Sequence, residues 1–312
     1  MAKITIENIA RINLSVVPEE RKFGTSGELA VNPLVRMMYI DKGYDDKPKS
    51  KEERNARGLR GGWNGLMSSF PKIEANYENG ENVVNATIAP TRYLVGQAMR
   101  DLMDTAGSVF TQKEIQEMSP DMAGVSLVVP VKLEGEYFLM SQIKGDALGS
   151  GQISAGLVAG RIDAKYLNHS DPLAATLHNE CSEEVGMDLS CLDPTSVIYM
   201  VDERETGQVN FAYVARNADA ESILHAYEAS VKGKIPAGKK LEVSGLANLP
   251  VSGIALTALE GNTVRDITCF IPTEHGLERE VQDRQVRPYT QAVLDYLYKP
   301  ENLKFLLEKA GF

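Results

Sequence analysis

Cysteine is scarce in this chain. There are three in 312 residues, Cys181, Cys191 and Cys269, and no two of them form a CxxC pair. That is too few for a disulfide framework, so a reducing compartment is expected. The four histidines, His169, His178, His225 and His275, show no HxxxH or HxH spacing, and zinc is not expected either. Long apolar runs are also missing. None approaches the roughly 20 residues that a membrane-spanning helix requires, and no membrane partner is expected. Residues Met1–Glu7 alternate polar and apolar like a strand, without the apolar core and cleavage site of a signal peptide. The cytoplasm is the expected location. Cations are in the minority, 33 Lys and Arg against 43 Asp and Glu, for a net charge of -10. A surface of that sign repels a phosphate backbone unless its cations gather on one face, which argues against nucleic acid as a partner. Neither an internal repeat nor a low-complexity segment is present.

What remains is an ordinary globular composition, 43% hydrophobic and 24% charged, with length for roughly two domains of about 150 residues each. One island stands apart, residues 45–63, with Lys47, Lys49, Lys51, Arg54, Arg57 and Arg60 closing on Gly61-Gly62. It reads as a solvated loop or as a phosphate- or partner-binding loop, and its own Asp45, Asp46, Glu52 and Glu53 dilute the field it would make. Two helix signatures follow. Thr91 precedes a run in which Leu94, Ala98 and Leu102 recur every four residues beside Val95 and Met99, ending at Gly107. Thr111 and Glu114 then have the capping-box spacing, and Pro120 closes that helix. The expected boundary falls here: residues 1–120 form an N-terminal region, and residues 121–312 form the second domain.

From Val125 the period changes. Val125–Lys132 is rich in β-branched residues, and Tyr137–Ile143 follows across Glu134-Gly135, a hairpin signal in which Pro130 implies an edge or a bulge. The glycine-rich stretch Gly145–Gly151 lacks the GKS/T ending of a phosphate loop and reads as a connection. A helix over Pro172–Val185 comes next, then strands at Ser196–Val201 and Val209–Val214. Helices are expected at Ala220–Val231, packing Ile223, Leu224 and Tyr227, and at Pro288–Tyr298, packing Ala292, Val293 and Tyr296. Hairpin, helix, hairpin and helix make an α+β fold with a mixed sheet.

The helix at 172–185 carries the chemistry. Asp171 is placed to cap it, Pro172 sits at its first position and Gly186 stops it. Leu173, Leu177 and Cys181 recur at four-residue spacing, with Ala174 and Val185 widening the apolar stripe. Glu180, Glu183 and Glu184 stand at i, i+3 and i+4, so their carboxylates crowd one side. Each like-charge pair costs a few tenths of a kcal/mol, and the negative end of the helix dipole adds roughly 0.3–1 kcal/mol per exposed anion. No Lys or Arg lies in the helix to offset them. A divalent cation reverses the sign of all these terms; the other reading is a solvated acidic helix end.

The spelling Asn179-Glu180-Cys181-Ser182-Glu183-Glu184-Val185-Gly186-Met187 resembles the REUxEExGU half of the Nudix box, where U is a bulky aliphatic residue. Upstream, Ser154-Ala155-Gly156-Leu157-Val158 looks like the glycine turn that opens the box. The resemblance covers about residues 122–300 and implies a Nudix-like α/β/α sandwich, with an unassigned N-terminal region before it. It also implies that Glu180, Glu183 and Glu184 hold Mg²⁺ or Mn²⁺ and act in catalysis, with Gly156 beside the substrate. Glu203 and Glu205 become candidates for a further ligand or base, unless they are an ordinary exposed turn. Lys144 is a candidate contact for substrate phosphate, unless it is a surface lysine. The implied activity is hydrolysis of a diphosphate linkage in a nucleoside diphosphate joined to another group, a nucleotide-derived small molecule. Two features depart from the box. Asn179 replaces its arginine, and no glutamate stands at the family spacing after Gly156: Ile162 falls there, or Asp171 when counted back from Asn179. They motivate the alternative, a Nudix-like domain that has lost turnover and binds a ligand or a protein. The N-terminal region then serves as a substrate lid, a homodimer surface or a partner site.

Overall fold

The computed structural model describes residues 5–23, 30–50, 53, 56–57, 64–144, 152–195, 199–203, 207–232, 251–259, 267–273, 275–282, 286 and 288–312. Its first elements are strands β1 (Thr5–Asn8), β2 (Arg11–Val16), β3 (Lys22–Phe23) and β4 (Ala30–Val31), then helix α1 (Pro33–Asp41). The long strands β5 (Leu66–Glu78) and β6 (Glu81–Arg92) lead into α2 (Tyr93–Ala106) and α3 (Gln112–Met118). Strands β7 (Met122–Leu133), β8 (Glu136–Lys144) and β9 (Val158–Arg161) precede α4 (Pro172–Glu184). After it come β10 (Tyr199–Glu203), β11 (Gln208–Val214), α5 (Ala220–Val231), β12 (Val251–Ala258), β13 (Ile267–Thr273), β14 (Gly276–Gln282), α6 (Pro288–Leu297) and α7 (Pro300–Ala310). The fold is α+β with mixed strand pairing: most pairs are antiparallel, while β2 runs parallel to β6. No helix among the described residues is long and apolar enough to cross a membrane.

The chain divides into two compact units. One comprises Met1–Val125, Arg161–Thr176 and Tyr199–Phe211; the other comprises Ser126–Gly160, Leu177–Ile198 and Ala212–Phe312.

In the first unit β5 and β6 form a hairpin closed by Asn79 (φ 51°) and Gly80 (φ 87°). Asn-Gly is the pair that tolerates two successive left-handed residues, whose twist matches that of the flanking strands. The hairpin register slips between Ser69 and Lys72, around Pro71, which has no amide to donate. β1 pairs antiparallel with β10, Thr5 opposite Asp202. Helix α2 buries Leu94, Val95, Ala98, Met99 and Leu102, and these share a core with Val35 and Tyr39 of α1 and with Ile115 and Met118 of α3. Each large side chain so buried contributes on the order of 1.5–3 kcal/mol. Thr91 lies inside β6 and is buried, and Arg92 at the cap offers no side-chain bond. The cap comes from a distance: the wholly buried Asn64 accepts the Leu94 amide through Oδ1 at 3.1 Å. Thr111 and Glu114 form the expected capping box.

In the second unit the strand order is β11-β7-β8-β12-β13-β14, with β9 beside β7. The hairpin β7–β8 turns at Glu134 (φ 53°) and Gly135 (φ 92°). The bulge expected at Pro130 does not occur. Pro130 faces Leu139 of β8 in unbroken register, while on the other side the bonding to the β11 segment reaches only Val128. β7 is nearly continuously buried, and the donor that proline lacks interrupts no register with β8. Helix α6 buries Val293, Leu294 and Leu297, while Ala292 and Tyr296 are half-buried; its inward face is displaced from the one expected. In α5, Ile223 and Tyr227 are buried and Leu224 is half-buried. The stretch Gly145–Gly151, residues 196–198 of the expected strand, Glu205 and much of the basic island fall outside the described residues.

Candidate functional site

The acidic helix forms as its punctuation dictates. Asp171 accepts the Ala174 amide at 3.0 Å. Gly186 adopts φ 78°, where a β-carbon would run into Ser230. Leu173, Leu177, Cys181 and Val185 are at most 1% exposed. Cys181 belongs to that stripe, and burial pushes its thiol pKa up to about 12. It is a core residue with no thiolate to offer at neutral pH.

Opposite the acidic end of α4, β7 and β8 splay apart. Their pairing runs only to Val129 opposite Met140, and the segment 152–161 wedges in beyond that point. Ser154 and Gly156 bond the backbone of Gln142, while the Leu157 amide reaches the Leu127 carbonyl of β7. Gly156 has little room for a side chain, since a β-carbon would sit 3.0 Å from the carbonyls of Leu127 and Val158. Gln142 and Lys144, two apart on β8, project to one face of the strand, and both are buried.

Glu184 lies against this wedge. Its Oε2 accepts the Ala159 amide at 3.1 Å and Gln142 Nε2 at 3.3 Å. Its Oε1 is 3.5 Å from Lys144 Nζ, with the two side chains 4% and 7% exposed. Burial raises the Glu184 pKa; Lys144, the Ala159 amide and Gln142 all work against that rise. Lys144 is therefore a buried partner of the acidic helix rather than a surface lysine. The helix's missing counter-charge comes from a strand instead of from the helix itself.

Glu180 is half-buried and packs against Gly160, where an added β-carbon would lie 2.5 Å from its Cδ. Two carboxylates of α4 thus meet consecutive residues of β9, one at the Ala159 amide and one at the bare Cα of Gly160. Glu183 is exposed and accepts a bond from Asn179 Nδ2 at 2.9 Å. Asn179, the residue at the box's arginine position, therefore holds Glu183, its neighbour at i+4, by a hydrogen bond. Glu203 ends β10. Among the described residues no three His, Cys, Asp or Glu side chains converge on one metal position. The donors still suit a hard cation in kind, because Mg²⁺ commonly takes one or two carboxylates and completes its shell with substrate oxygens and water.

Sequence reasoning missed the part played by Gln142. A glutamine in a β-rich strand carries no signal until the strand is seen to face an acidic helix. Its Oε1 is buried without a hydrogen-bond partner.

A concavity of about 410 Å³ lies in the first unit, lined by Val16, Pro18, Leu66 and Pro90 with Asp163 and Lys165.

No protein-family model matches the chain, and no curated protein matches it. Among solved structures, it is similar to a MutT/nudix family protein from Enterococcus faecalis, at 8% identity and a TM-score of 0.29. That likeness covers 67% of this chain and 78% of the other. A superposition this loose carries no conclusion about the chemistry of either unit.

Proposed function

We propose that the chain is a divalent-metal-dependent hydrolase that cleaves a diphosphate linkage in a nucleoside diphosphate joined to a second group. The observation that supports it best is the placement of Glu180 and Glu184 on consecutive residues of β9, with Glu183 exposed beside Glu184. Carboxylates at a helix C-terminus repel one another and the dipole, and a buried one adds a desolvation cost. On this reading the second unit is a Nudix-like sandwich in which the wedge at Gly156 and the acidic end of α4 form the site. Bound Mg²⁺ or Mn²⁺ would neutralise charge on the displaced phosphoryl group and acidify an attacking water. Glu180 and Glu184 would hold the ion, and the exposed Glu183 would accept a proton from the water. Lys144 would supply a cation for a phosphate oxygen.

One observation favours a second reading, a binding module without turnover. Glu184 already faces an ammonium and Glu183 already bonds Asn179, so the helix end is largely satisfied from within. A phosphate-release screen over nucleotide sugars, dinucleotides and nucleoside triphosphates, with Mg²⁺ or Mn²⁺, separates the two. The hydrolase reading expects turnover on one of these classes that Glu183→Gln lowers by tenfold or more while the melting temperature holds. No turnover on any class by the folded wild-type chain refutes it.

A further inference from the structure

We propose that Lys144 is a built-in competitor cation. Its ammonium pairs with Glu184 when no metal is bound, and a divalent cation binds the acidic end of α4 by displacing it. This rests on the metal-site reading above and adds to it a residue that sets the affinity.

The division of labour between the two oxygens of Glu184 carries the argument. Oε2 is held by neutral donors, the Ala159 amide and Gln142 Nε2. Oε1 faces the ammonium. Exchanging one cation for another at Oε1 therefore leaves the bonds that position the carboxylate intact. The Lys144–Glu184 contact is also a long one. At 3.5 Å it stands beyond the roughly 2.7–2.9 Å of a short charge-assisted bond. Lysine is a point charge on a flexible four-carbon stem, so it can leave without disturbing the strand that carries it.

A second observation points to an occupant. Gln142 is wholly buried, its amide nitrogen is on Glu184, and its Oε1 has no hydrogen-bond partner. Close by, Ser126 is 3% exposed with its hydroxyl likewise unpartnered, and its Cβ lies 3.4 Å from where a β-carbon on Gly156 would sit. Buried oxygens without partners are costly, and an arriving hydrated cation carries water molecules that can donate to them.

The test is calorimetric titration of the full chain with Mn²⁺ alone, for wild type, Lys144→Met and Lys144→Arg, with circular dichroism to confirm folding. Removing the competitor should tighten Mn²⁺ binding about tenfold or more. Lys144→Arg keeps the charge and adds a bidentate fork for the carboxylate, so it should weaken binding severalfold. A purely structural lysine would not move affinity in opposite directions in the two variants. Should Lys144→Met not fold, the arginine variant decides: Mn²⁺ bound as tightly as by wild type, or more tightly, overturns the proposal. Equal affinity in all three chains overturns the competitor and leaves the metal site standing. Absence of Mn²⁺ binding from every folded variant overturns both.

Discussion

Removing Lys144 should unmask the cost of burying Glu184, and the structure sets the size of that cost. At 3.5 Å, and with an effective dielectric constant of about 20, the Coulomb attraction is about 5 kcal/mol. Breaking a buried pair by deleting one partner typically costs about 3–5 kcal/mol, because the remaining charge is stranded. Lys144→Met should therefore lower the melting temperature by about 6–12 °C, taking about 3 kcal/mol and 2–4 °C for each. Glu184→Gln in the Lys144→Met background should recover much of the loss, since a neutral amide in place of the carboxylate removes the stranded charge. Urea denaturation of wild type, both single variants and the double variant closes the cycle. A coupling energy below about 1 kcal/mol would refute the idea that the two charges depend on each other.

The pH dependence has a fixed sign. The Glu184 pKa is raised in the folded chain, so its contribution to stability is fully present below the unfolded carboxylate value of about 4.3. It is lost as pH rises through the folded value. Without Lys144 that value rises further, so the deficit of Lys144→Met should be larger at pH 8 than at pH 5. A deficit independent of pH would show that the carboxylate is not the group being stranded.

Gly160→Ala should push the Glu180 carboxylate off β9, because the new methyl would occupy the space of its Cγ and Cδ. A flexible side-chain end yields cheaply, so the melting temperature should move by no more than a few degrees while Mn²⁺ affinity falls about tenfold; unchanged affinity would remove Glu180 from the ligand set. Gly186→Ala should behave in the opposite way, costing about 1–2 kcal/mol for the left-handed backbone alone and more from collision with Ser230 and with the Ala226 carbonyl 3.3 Å away. Denaturant midpoints test it, and a wild-type midpoint would contradict the strain.

The legible parts of this chain are those whose signals are local. Asp171, Pro172 and Gly186 delimit α4, Thr111 and Glu114 open α3, and Glu134-Gly135 closes the β7–β8 hairpin, each through backbone chemistry confined to a few residues. β5 is hidden because Ser68 and Ser69 occupy buried positions and the slip near Pro71 breaks the alternation that reveals a strand. The α2 cap is hidden because Asn64 reaches it from thirty residues upstream. The site divides in the same way. The three glutamates are visible as a spacing on one helix. The Lys144 that answers Glu184 is not, because the two meet only when a strand and a distant helix pack together.

β1 has a consequence for how the molecule is made. Its partner is β10, so β1 must wait until Tyr199–Glu203 has been made before its ladder can form. The first unit also needs Arg161–Thr176 and Tyr199–Phe211, and its closure therefore comes late in synthesis. Long-range pairing of this kind is slow, and it leaves strand edges uncovered meanwhile. Until then, β1 is where a holding chaperone would be most needed.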